Sequence, residues 1–259
     1  GLNPTPMRRV EVGTANSYLP VDVDSGSAGT VTIQAVEGPH PNNTGINTLD
    51  RYWSFVAPST AAPLDLVQFN YNDPGDITNG DETKFHLARY SGGSWTDFGD
   101  IPDAFNNALV TTPAPYLGDW VIGQKGSVGG AGKVAITSVN GGSDPAVNIG
   151  FPVDVESQHD DGTPANVAIN TGIDILLQTG TGSLLGGFAT INSGTSSATA
   201  SNSSYNAIES NIQLRADASS GDTDLDDGLS APFDVTAATS TLTVSNLLDT
   251  GAGSLRDAI

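Results

Sequence analysis

The sequence predicts an all-β fold: two tandem β-sandwich domains followed by a C-terminal strand-turn-helix stub. Three observations predict it. Gly, Ser, Thr, Asn and Asp are abundant while Lys, Glu, Arg and Met are scarce, so turn formers dominate and strong helix formers are under-used. Short apolar/polar alternations of period two recur along the chain. Turn residues separate them at short intervals, as in sandwiches and barrels.

In the first block the alternations fall at Val10–Val12, Pro20–Val23, Thr30–Val36, Arg51–Val56, Leu64–Phe69 and Phe85–Tyr90. Ser91-Gly92-Gly93-Ser94 is a tight turn into Trp95–Phe98, a β-hairpin in which glycine supplies positive φ. Asp119–Gly123 closes the set. Residues 126–132 (GSVGGAG) read as a flexible linker, which bounds a jelly-roll-like or sandwich domain at 1–125. Beyond it, strands are predicted at Lys133–Ile136, Ala146–Ile149, Phe151–Val155, Ile173–Leu177, Gly187–Ile191, Ser196–Ala200, Ile212–Ala216 and Phe233–Val235. That density over 133–238 fits an immunoglobulin-like sandwich. Pro152, Pro164 and Pro232 suit its edge positions. Residues 239–259 open a further unit, with a strand at Thr241–Val244 and a helix capped by Ser254 with Asp257 three residues on. The chain begins without Met and ends inside a motif, so it reads as an internal piece of a longer protein.

A formal net charge of −20 excludes nucleic acid and anionic membranes as expected partners, because both require clustered Lys and Arg. No apolar run approaches the roughly 20 residues that span a bilayer, so no membrane insertion is expected. Absence of cysteine removes disulfides, thiolate nucleophiles and thiolate metal sites.

Two acidic loops are the candidate metal sites, with Ca²⁺ the one cofactor they suggest. Asp222, Asp224, Asp226 and Asp227 alternate as Ca²⁺ ligands do, although Gly228 comes one position late for an EF-hand and Phe233 stands where the bidentate Glu would be. Asp73, Asp76, Asp81 and Glu82 form the second loop. An exposed Asp/Gly turn is the simpler reading of both loops. Paired carboxylates in such loops lack the apolar pocket that makes a general acid. His40, His86 and His159 show no metal-ligand spacing, and His86 reads as a half-buried strand residue. Lys84, Lys125 and Lys133 are too few and too badly placed for an isopeptide cross-link. Trp53 and Trp120 read as core, with Tyr52 on the opposite face from Trp53. Trp95, after the hairpin turn, reads as the exposed ring and the candidate carbohydrate-binding residue.

Three segments carry resemblances. The tail TLTVSNLLDTGAGSLRDAI resembles TVTNLNDSGPGSLRQAI, the motif that opens a right-handed parallel β-helix in large bacterial surface proteins; the helix itself is not present here. Phe151-Pro152-Val153, Asp161–Val167, Gly180–Gly187 and Ser230–Val235 are similar to the immunoglobulin-like repeats of bacterial exported proteins, where the module is a spacer or adhesive unit. More weakly, the RYW strand, GGSWTDFG hairpin and GDWVIGQ strand resemble β-rich modules of multidomain cell-surface and type IX-secreted proteins. The resemblances imply an extracellular, non-catalytic structural or adhesive segment whose partners are other copies of itself, neighbouring surface proteins or polysaccharide. The alternatives are a carbohydrate-binding module, or an accessory region of a polysaccharide-degrading β-helix enzyme.

Overall fold

The computed structural model describes residues 7–15, 17–24, 30–57, 64, 66–73, 75–77, 79–99, 108–111 and 116–239. The described chain is all-β, with three short 3-10 turns and no α-helix. The predicted stub over 239–259 lies, apart from Thr239, outside these residues.

The first block contains β1 (Arg8–Val10), β2 (Val21–Asp24), β3 (Thr32–Glu37), β4 (Arg51–Val56), β5 (Leu66–Asn70), β6 (Phe85–Ser91), β7 (Ser94–Asp97), β8 (Ala108–Thr111) and β9 (Gly118–Gln124). They form two antiparallel sheets, β1-β2-β5-β8 and β3-β4-β9-β6-β7. Period-two burial places Arg51, Trp53 and Phe55 inward on β4, and Tyr52 and Ser54 outward. Trp53 pairs across strands with Trp120 of β9, and both are fully buried, as their alternation predicts. Leu19, Val21, Val67, Phe69, Phe85 and Leu87 complete a core fed by both sheets. At the β6–β7 turn, Gly92 (φ 62°) and Gly93 (φ 85°) take the left-handed conformation that a two-residue hairpin demands.

The second block contains β10 (Lys133–Val139), β11 (Phe151–Gln158), β12 (Thr171–Thr179), β13 (Leu184–Leu185), β14 (Phe188–Ile191), β15 (Ser197–Tyr205), β16 (Glu209–Ser220), β17 (Gly228–Leu229) and β18 (Phe233–Val235). The sheets are β10-β11-β15-β13 and β14-β12-β16-β17, with β18 also on β16. Inward residues Phe151, Val153 and Val155 of β11 meet Ile212, Leu214 and Ala216 of β16 in a second, separate core.

Three expectations are corrected. Ala146–Ile149 is a turn rather than a strand: Asn148 has φ 59°, and Ile149 N–H bonds to Ala146 O. Pro152 sits on an interior strand, where a register shift between Phe151 and Val153 accommodates it; a bulge tolerates the missing donor as an edge does. Residues 126–132 are not a free linker. Ser127, Val128 and Ala131 are buried, Lys125–Ser127 is a 3-10 turn, and Gly130 N–H bonds to Lys125 O.

Candidate functional site

The joint between the blocks is built from that glycine-rich segment upward. Gly132 N–H donates to Gln158 O (2.9 Å) and Asp226 N–H to Gly132 O (2.8 Å), which ties the segment to the second block. On the first-block side Thr44 donates to Ser127 O through its N–H (3.0 Å) and to Gly126 O through its hydroxyl (2.8 Å). Asp160, in the turn after β11, reaches into the joint. Its Oδ2 accepts from Ser127 Oγ (2.5 Å) and Asn47 Nδ2 (3.2 Å). Its Oδ1 lies so close to the backbone that a Cβ at Gly126 or Gly132 would stand 2.0 or 2.4 Å away. These two glycines therefore serve close approach rather than flexibility.

Beside the joint is a cleft of about 310 Å³, walled by Lys84, His86 and Lys125 from the first block and Asp160, Asp224 and Asp226 from the second. Its two lysines are paired across the boundary. Lys84 pairs with Asp226, and this bond holds the ammonium above its ordinary value. Lys125 pairs with Asp222, both ends largely buried. An exposed pair such as the first contributes at most about 1 kcal/mol. Removing one partner of a buried pair costs about 3–5 kcal/mol, because the other charge is left stranded. His86 Nδ1 faces both oxygens of Asp97 (3.1 and 3.2 Å). Burial pushes the Asp97 carboxyl up, yet His86, the Gly99 N–H and Lys125 together hold it below the usual range.

The predicted metal residues are dispersed rather than convergent. Asp222 and Asp226 bind the two lysines, Asp227 pairs with Arg215 (2.5 Å), and Asp224 is exposed. In the other loop Asp76 is buried against Arg51 (2.7 Å) and accepts from Asn72 N–H. Asp81 caps the 3-10 turn through Thr83, Glu82 accepts from the Tyr71 hydroxyl, and Asp73 is exposed. Among the described residues no group of three or more His, Asp or Glu side chains is placed to hold a metal.

Trp95 is half-buried, not an open platform. It packs over Gly129, donates Nε1–H to Asn42 O (3.0 Å), and meets His40 and Tyr90 at 5.1 and 5.2 Å between ring centres. His40 is itself buried, and its Nε2 lies 3.2 Å from Asp119. Trp95 thus braces the joint from the first-block side. Asp160 and this aromatic brace were missed from sequence. The available signal was Val128 and Ala131, apolar residues where a solvated linker has none.

No family model matches the chain, and no curated protein or solved structure resembles it at a significant level.

Proposed function

We propose that the chain is a non-catalytic structural segment of an extracellular bacterial surface protein or fibre, in which two immunoglobulin-like sandwiches form one semi-rigid unit. The observation that carries the reading is the joint: the connecting segment is buried at Gly126–Val128 and Ala131, and Asp160 is fitted between two glycines that admit no side chain. A chain that served only to tether two independent domains would leave its connector solvated and polar. The ion pairs Lys84–Asp226 and Lys125–Asp222 consume basic groups of the cleft in holding the blocks together, which favours a mechanical role over a catalytic one.

Gly126→Val tests the reading by calorimetry. The wild type is expected to unfold in one coupled transition. The variant, whose side chain collides with Asp160, should split into two transitions, one per block, each retaining its own core. Two transitions already in the wild type would contradict it.

A further inference from the structure

The chain holds three histidines, and all three stand at the joint. His86 walls the cleft, His159 Nδ1 lies 2.7 Å from Gly130 O, and His40 meets Trp95 where that ring packs over Gly129. Their hydrogen bonds differ in one chemical respect. A carboxylate and a carbonyl only accept, so Nδ1 of His86, facing Asp97, and Nδ1 of His159, facing Gly130 O, are donors. An imidazolium donates from both nitrogens, so those bonds survive protonation. His40 is the reverse. Its Nδ1 accepts the Asn42 N–H (3.1 Å), which requires a free lone pair, and its proton therefore sits on Nε2, 3.2 Å from Asp119. A second proton on this ring sets Nδ1–H against Asn42 N–H, and the bond is lost.

That bond closes the turn from which a strap crosses the connector. Asn43 N–H closes the same turn on His40 O (3.0 Å). Asn42 O receives the Trp95 indole, Thr44 grips Gly126 and Ser127, and Asn47 N–H donates to Ser127 Oγ (3.2 Å). Trp95 and Tyr52 pack against the cluster of Val128, Ala88 and Val121 beneath. We propose that His40 is a proton-operated latch of the joint, closed when its ring is neutral and released when it is protonated, a regulation that rests on the structural reading above. The ring is 3% exposed and is faced by Asp119 of β9, Tyr52 of β4, Tyr90 of β6 and Trp95 of β7. Asp119 is the charged group among them. Burial, and then Asp119, raises the Tyr52 hydroxyl, which stays neutral. Asp119 accepts from Nε2–H in either state of the ring, so the Asn42 bond is what protonation removes. The closed latch binds one proton fewer than the open one, so closure is favoured at high pH and lost as pH falls.

NMR of the intact chain tests it, following the imidazole nitrogens, the Asn42 amide and the Trp95 indole from about pH 8 to about pH 5, where histidine changes charge. At the upper limit His40 should be the Nε2–H tautomer, and one diffusion tensor should fit both blocks. As His40 protonates, hydrogen-exchange protection of the Asn42 amide and the Trp95 indole should fall about tenfold, the worth of one hydrogen bond. Its midpoint should be that of the His40 ring and not that of His86 or His159. His40→Asn sets an amide oxygen near the place of Nδ1 and does not titrate, so protection in this variant should hold across the range. An Nδ1–H tautomer at the upper limit, a His40 ring that stays neutral to the lower limit, or a protonated His40 with Asn42 and Trp95 still protected overturns the proposal. All three are read from the wild type, so the latch is decided even where the variant fails to fold. Two tensors at the upper limit are a different failure: they contradict the joint itself and the latch with it.

Discussion

The two cores are built from different materials. The first gathers Trp53, Trp120, Phe55, Phe69 and Phe85 at full burial, and the second relies on valine, isoleucine, leucine and alanine, with Phe151 and Tyr205 as its fully buried rings. Trp120 is the hub of the first. Its ring meets Phe98 at 4.9 Å, Phe69 at 5.4 Å and Phe55 at 6.3 Å, its indole N–H donates to Tyr116 O (2.7 Å), and the Arg89 guanidinium lies 5.9 Å above it. Burial strips that guanidinium of water, and its pKa falls. The second core shows no comparable ring cluster among the described residues: Phe151 meets Phe233 at 6.4 Å, and its many small side chains line longer strands such as β12, β15 and β16. Stability is concentrated in one block and distributed in the other.

Substitutions sharpen that contrast. Trp120→Ala should cost about 3–5 kcal/mol in the coupled denaturant unfolding of the chain, since it opens a large cavity and orphans the Tyr116 carbonyl. Ile175→Val, at a buried position of the second core, should cost about 1 kcal/mol. Equal costs would erase the distinction.

A smaller effect belongs to the second block's loop at Gly180–Gly182. Tyr205, otherwise buried, donates its hydroxyl to Glu209, and the Thr181 hydroxyl and N–H bond the same carboxylate. Led by the Thr181 hydroxyl, these bonds hold Glu209 down to about 2 from an ordinary 4.5. A carboxyl depressed in the folded state contributes stability above its unfolded value and loses it as pH falls through the folded one. Glu209→Gln should therefore flatten the acid limb of unfolding between about pH 4.5 and about 2. An unchanged acid slope would remove Glu209 from the loop's support.

The alternation Arg-Tyr-Trp-Ser-Phe-Val specified β4 to the residue, because a one-sided core imposes period two, and the same logic placed Phe233–Val235. β13 and β17, two residues each, carry too little pattern to be found, and Asn148 hides a turn inside an apparent strand because asparagine tolerates positive φ. The joint was legible least of all. Glycine marks flexibility and close approach with the same letter, and only the position of Asp160, some thirty residues away, separates them. Alternating aspartates likewise read as one cage, whereas their partners, Lys84 and Lys125 in two first-block 3-10 turns and Arg215 on β16, draw them apart.

The most direct test of the joint is ¹⁵N relaxation of the intact chain, comparing rotational diffusion of residues 30–57 with that of residues 151–220. A rigid joint predicts one diffusion tensor that fits both blocks. Two tensors, each with the shorter correlation time of a separate domain, would contradict it.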